Sequence, residues 1–185
     1  MNKSELRRLA LTLREELALT AYDQFDPLVL AELYGVQVLR LSELECSQEA
    51  REHFQIVRPQ VFSGALISLT DGGTVIVEND GHAPERRIST ASHEMAHVVL
   101  EHPFAAALTD STGCRVANRA LETEAAELSG ELLLPTDAAV RLALDGVSDE
   151  LAAERFGVSV PFARWRLNVT GARKIAGRAH AKRRR

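Results

Sequence analysis

The residues best placed by type and spacing to do chemistry lie in the run His93-Glu94-Met95-Ala96-His97. On a helix, positions four apart are separated by about 40° around the axis and ~6 Å along it, so both imidazoles face one metal ion. Glu94 projects ~100° round from His93, off the metal but near enough to take a proton from water held there. Two imidazoles beside a carboxylate base suit metal-assisted hydrolysis of a peptide bond.

The flanking residues put the histidines on a functional face. Ile88, Ala91, Met95 and Val99 form an apolar stripe, while Arg86, Thr90, His93, Glu94, His97 and Glu101 fall on the other side. A hydrolytic zinc takes three protein ligands and a water. One-helix solutions that add a glycine and a third histidine fail here, because those positions are Leu100 and Pro103. His102 is rotated ~140° from His97, and Glu101 lies ~6 Å further along the axis, so neither is a good third ligand.

A second helix over 116–134 offers Glu122, Glu124, Glu127 and Glu131. Its core stripe is Ala117, Leu121, Ala125, Leu128 and Leu132. Glu124, Glu127 and Glu131 line one flank and are expected to form a solvated acidic row. Glu122 stands alone on the other flank, with Asn118, Ala126, Ser129 and Leu133 as neighbours. An unpaired carboxylate buried in such surroundings would be costly, which favours Glu122 as the third ligand. Glu124 is the runner-up, and Cys114 is a more remote thiolate option. His53, His82, Tyr22, Tyr34, Arg86 and Arg87 are candidates for stabilising an oxyanion, and each is equally at home as a surface or packing residue.

The elements that position these residues follow from periodicity. Leu6, Leu9, Leu13 and Leu17 give a helix over 4–19. Asp26-Pro27 caps and opens a second helix through Leu33, ending at Gly35. Strands are expected over 36–41, 61–69 and 74–78, the last two joined by Asp71-Gly72-Gly73. After Asn79-Asp80-Gly81 a helix opens at Pro84 and stops by Pro103. A loop fills 104–115, Pro135 closes the second glutamate-bearing helix, and shorter helices fill 136–170. The expected fold is α+β: helices around a small, mainly antiparallel three-stranded sheet, with a zincin-like active-site helix and a C-terminal helix-turn-helix-like segment. We read 1–170 as a single domain, with 136–170 its C-terminal helical part, and 171–185 as a basic, disordered tail.

Composition narrows the setting. The 185 residues are 45% hydrophobic and 26% charged, which excludes a wholly disordered or fibrous chain. Two cysteines, Cys46 and Cys114, are too few for a disulfide scaffold and suggest a reducing compartment. No apolar run approaches the ~20 residues of a membrane span. The opening MNKSELRRLALTLREELAL carries acids and arginines throughout, unlike a signal peptide. The expectation is a cytoplasmic protein without membrane contact. The net charge of −4 is uneven: nine of the 22 basic residues lie in 164–185 and no acid follows Glu154, so the body carries 22 − 9 = 13 basic against 26 acidic residues. A basic terminus of this kind docks nucleic acid, an acidic partner or its own body, or only solubilises the chain.

These residues resemble the ImmA/IrrE family of bacterial metallopeptidases over about 20–170. The resemblance is carried by the strand Thr74–Glu78, by RRISTASHEMAHVVLEH, by ETEAAELSGELLLP, and by LAAERFGVS followed by Arg166-Leu167. It implies one Zn2+ per chain on His93, His97 and Glu122, with Glu94 as the catalytic base. Ala96 replaces a common glycine, and Ala126 and Leu128-Ser129 replace a common Asn and Phe-Ala. Family members cleave helix-turn-helix repressors, so the resemblance implies a zinc-dependent regulatory endopeptidase whose substrate is such a repressor. The alternative is a non-catalytic, metal-containing regulator that binds DNA or a repressor. In that reading Leu151, Ala153, Gly157, Val158, Ala163 and Leu167 make a helix-turn-helix, and Arg164, Arg166 and the tail make weak contacts to nucleic acid phosphates. Otherwise these helices simply close the peptidase core.

Overall fold

The computed structural model describes residues 1–69, 72–103 and 118–183, and the chain divides into two compact units. One contains residues 26–126, and the other contains 1–25 and 127–185. The fold is α+β.

In the unit of residues 26–126, Asp26 accepts a hydrogen bond from the Leu28 N–H and Pro27 opens helix α2 (Pro27–Leu33). Strand β1 (Gln37–Arg40) follows, then the short helix α3 (Gln48–Glu52), a wide turn at His53–Val57, and a tight one at Pro59–Val61. Strands β2 (Gly64–Ser68) and β3 (Thr74–Glu78) complete a sheet of order β1-β3-β2. The two turns hold 53–61 outside the sheet, so β2 is shorter than its apolar pattern suggests. β2 and β3 pair antiparallel, Gly64 opposite Glu78 and Ser68 opposite Thr74, but β1 runs parallel to β3, with Gln37 opposite Val75. The sheet is therefore mixed rather than mainly antiparallel. The long connection from β1 to β3 carries a helix and another strand, enough for the crossover that a parallel pair needs. Being central, β3 is buried along Val75, Ile76, Val77 and Glu78, with no polar alternation.

Helix α4 (Pro84–Val99) starts on its proline and packs on β2 and β3. Its buried residues are Ala91, Ser92, Met95 and Ala96, which leaves His93, Glu94 and His97 half-buried. The approach of β2 is close: a Cβ on Gly64 would lie 2.6 Å from the Thr90 methyl group. The loop into α4 is organised by the buried Asn79. Its amide donates to the Phe54 and Phe62 carbonyls at 2.7 and 2.9 Å and accepts from the Gly81 N–H at 3.0 Å. Helix α5 (Arg119–Leu133) contains the boundary between the units, and its first turns carry Glu122 and Glu124.

The other unit is helical: α1 (Lys3–Glu16), the later turns of α5, α6 (Thr136–Leu144), α7 (Asp149–Phe156), α8 (Val160–Val169) and α9 (Ala172–Arg183). Its core includes Leu6, Leu13, Leu128, Leu132, Phe156 and Leu167. Gly157 ends α7 at φ 63°, the left-handed conformation that glycine adopts without penalty, and Ser159 caps α8. The helix-turn-helix spacing is thus a real helical pair.

Three readings of this unit need correction. Glu131, expected in a solvated row, is 2% exposed. Its carboxylate lies 2.8 Å from Arg166 and accepts from the Thr136 N–H at 2.9 Å, so it anchors the start of α6. Arg166, considered for phosphate contact, is fully buried and donates to the Leu134 carbonyl at 3.1 Å. Arg14 is buried too and donates to the Leu132, Thr20 and Asp23 carbonyls, and burial lowers its pKa from the ordinary value. The last turn of α5 has no basic residue of its own. Guanidinium groups from α1 and α8 take over the carbonyls at its end, where a helix favours positive charge.

Residues assigned to a disordered tail form α9. Its Ala, Arg and Lys residues favour helix, and the small side chains of Ala172 and Ala176 are buried where it packs with α6 and α8. Asp149 at the start of α7 pairs with Arg164 at 2.8 Å and also with Arg173. The hydrogen bond from Arg164, then that from Arg173, hold its carboxyl below the usual carboxylate range. Part of the C-terminal positive charge is therefore engaged within this unit.

Candidate metal centre

Helix α4 presents His93 and His97 one turn apart, and their Nε2 atoms lie 3.3 Å from each other. Near the start of α5, Asn118 accepts from the Ala120 N–H at 3.0 Å, and Glu122 follows in the first turn. The positive end of the helix favours a carboxylate there. Glu122 Oε2 is 3.2 Å from His93 Nε2, and Oε1 is 3.6 Å from His97 Nε2. Among the described residues, His93, His97 and Glu122 form a group able to hold a metal ion.

The donor set fits such an ion. A tetrahedral zinc with bonds of about 2.0–2.1 Å has ligand atoms ~3.3–3.4 Å apart, and the separations here run from 3.2 to 3.6 Å. Burial first, and the neighbouring His93 second, push the His97 pKa down to about 4. At neutral pH its ring is therefore uncharged, with one nitrogen free to donate a lone pair. Glu122 is exposed, not buried as its apolar neighbours in sequence suggest. It reaches the histidines because it lies one turn into α5, where the helix is open to solvent.

Glu94 lies half-buried on α4, directly after His93 in the sequence, and does not belong to the group of His93, His97 and Glu122. Glu124 is not in the group with His93 and His97 but sits 3.4 Å from His102. Cys114 lies outside the described residues, as do Ala117 and the expected loop over 104–115. The oxyanion candidates have other partners: Arg86 donates to Ser63 Oγ at 2.7 Å, Arg87 pairs with Glu78, and His82 lies 3.2 Å from the Phe62 carbonyl. His53 packs edge-on against Phe54, Tyr22 lines a cavity in the helical unit, and Tyr34 is exposed.

The sequence reading set His102 aside as a metal ligand and assigned it no other place in the site. His102 is 6% exposed, with its Nδ1 2.9 Å from His97 Nδ1. Helix α4 ends at Val99, and Glu101 takes φ 50°, so the His102 N–H turns back to the His97 carbonyl at 3.1 Å. A helical wheel cannot extend past that reversal. A histidine following a helix stop was the available signal.

No curated protein matches the chain. Among the described residues no helix is long and apolar enough to cross a membrane. The profile of Peptidase_M78, described as the IrrE N-terminal-like domain, matches residues 31–168. That span is most of the chain and includes β1–β3, α4 and its histidines, and α5 with Glu122. The chain belongs to the IrrE N-terminal-like peptidase family.

Proposed function

We propose that this protein is a zinc-dependent endopeptidase that cuts a helix-turn-helix transcriptional repressor and so relieves repression. The observation that carries the chemistry is the convergence of His93, His97 and Glu122, with Glu94 next to His93 in the sequence and on the same helix. Held by those three residues, zinc supplies Lewis-acid polarisation of a peptide carbonyl and makes water more acidic. His97, uncharged at neutral pH, offers its ring nitrogen without first losing a proton. Glu94 takes the proton from the attacking water and passes it to the departing amine. The repressor substrate and the cytoplasmic setting rest on the family resemblance and on the few cysteines.

The test is to incubate zinc-loaded protein with the helix-turn-helix repressors of its own genome and resolve the products by mass spectrometry. One repressor is expected to give two fragments from a single cut, and a strong chelator should stop the cleavage. A repressor bound but never cut by zinc-loaded protein would favour the non-catalytic regulator. A weak nucleic-acid contact is a second reading, supported by the exposed Lys174, Arg178, Lys182 and Arg183 on α9. Arg166 takes no part in it, being buried.

A further inference from the structure

We propose that His102 and Glu124 are positioning residues that fix the tautomer and ring orientation of His97, through a hydrogen-bonded chain running Glu124–His102–His97. This rests on the reading of His97 as a metal ligand. The geometry is continuous: Glu124 Oε2 lies 3.4 Å from His102 Nε2, and His102 Nδ1 lies 2.9 Å from His97 Nδ1. Across the His97 ring, Nε2 faces His93 and Glu122 at 3.3 and 3.6 Å.

One proton arrangement satisfies the ring-nitrogen contacts of both histidines. A ligating Nε2 needs its lone pair, so the single proton of neutral His97 sits on Nδ1 and is donated to His102 Nδ1. His102 then carries its own proton on Nε2 and donates it to the Glu124 carboxylate. Each ring is thereby held in one of its two tautomers. A carboxylate behind a ligating histidine is a common way to orient the ring and raise its basicity. Here a second imidazole extends that link.

The backbone is shaped to make it. Glu101 occupies left-handed space, at φ 50°, which a residue with a Cβ rarely adopts. That turn lets His102 fold back against His97, their ring centroids 5.0 Å apart. Glu124 is placed by the second turn of α5, two residues beyond Glu122. One helix thus supplies a carboxylate to the convergent nitrogens and another to the ring behind them.

The test is zinc affinity, read by competition with a chromophoric chelator, for wild type, His102→Phe, His102→Gln and Glu124→Leu. Phe keeps the ring and loses both nitrogens, and we expect zinc binding about 10- to 100-fold weaker. Gln offers an oxygen to His97 and an N–H to Glu124, so it should recover to within a few-fold of wild type. Glu124→Leu, which leaves α4 and its turn untouched, should weaken binding several-fold and stands in if His102→Phe does not fold by circular dichroism. Wild-type affinity in His102→Phe and Glu124→Leu overturns the chain, as does a Gln variant no better than Phe. If wild type itself binds no zinc, the metal reading falls, and this inference with it.

Discussion

Glu94→Gln is expected to lower the rate of repressor cleavage by about 100- to 10,000-fold while leaving zinc content at the wild-type level. At ~1.4 kcal/mol per decade, that is roughly 3–5 kcal/mol of transition-state stabilisation. The two halves of the result have separate causes. The amide keeps the size of the side chain but cannot take a proton from water, so the chemical step suffers. The metal stays because the nitrogens and the carboxylate that converge belong to His93, His97 and Glu122. Single-turnover cleavage with elemental analysis of the same sample checks both. Cleavage within a few-fold of wild type would show that another group is the base.

The second large effect is on stability. Arg166→Met should cost about 3–5 kcal/mol, because it leaves the Glu131 carboxylate as a buried charge without its cation. The Arg166 side chain crosses α5 over Gly130, where a Cβ would stand 3.0 Å from its guanidinium. It links Glu131, the Leu134 carbonyl and, through Glu131, the first N–H of α6. The double variant Arg166→Met, Glu131→Leu removes both charges and should recover most of the loss. It should fall short by about 1 kcal/mol, since the Thr136 N–H loses its acceptor. Urea denaturation of both variants measures this. A single variant within about 1 kcal/mol of wild type would mean the pair contributes little.

These two cases show which parts of the molecule were legible in the sequence. The helix bearing His93 and His97 was readable from local rules: Pro84 opens it, apolar residues recur along it, and a stop lies near Pro103. Glu122 was picked out by its isolation on the α5 wheel, although its exposure shows that the burial argument behind that choice does not describe it. Glu131 was misread because its partner Arg166 is far along the chain, and a helical wheel sees only its own helix. Neither Arg14 nor Arg166 could be recognised as completing α5, since the carbonyls they serve belong to another element. The contact of His102 with the far side of the His97 ring was hidden for a different reason: one left-handed residue, Glu101, reverses the backbone with no glycine to announce it. The parallel pairing of β1 and β3 was equally hidden, because alternation marks a strand but not its direction. Helix α9 looked like a tail because charge dominates its composition, yet Ala172 and Ala176 give it a packing edge.

His93, His97 and Glu122 are proposed to hold zinc together. Elemental mass spectrometry of wild type and Glu122→Ala, after zinc loading and dialysis, tests it most directly. Close to one zinc per wild-type chain is expected, with a marked loss in the variant. Wild type that stays empty, or a variant that retains its full zinc, would contradict it.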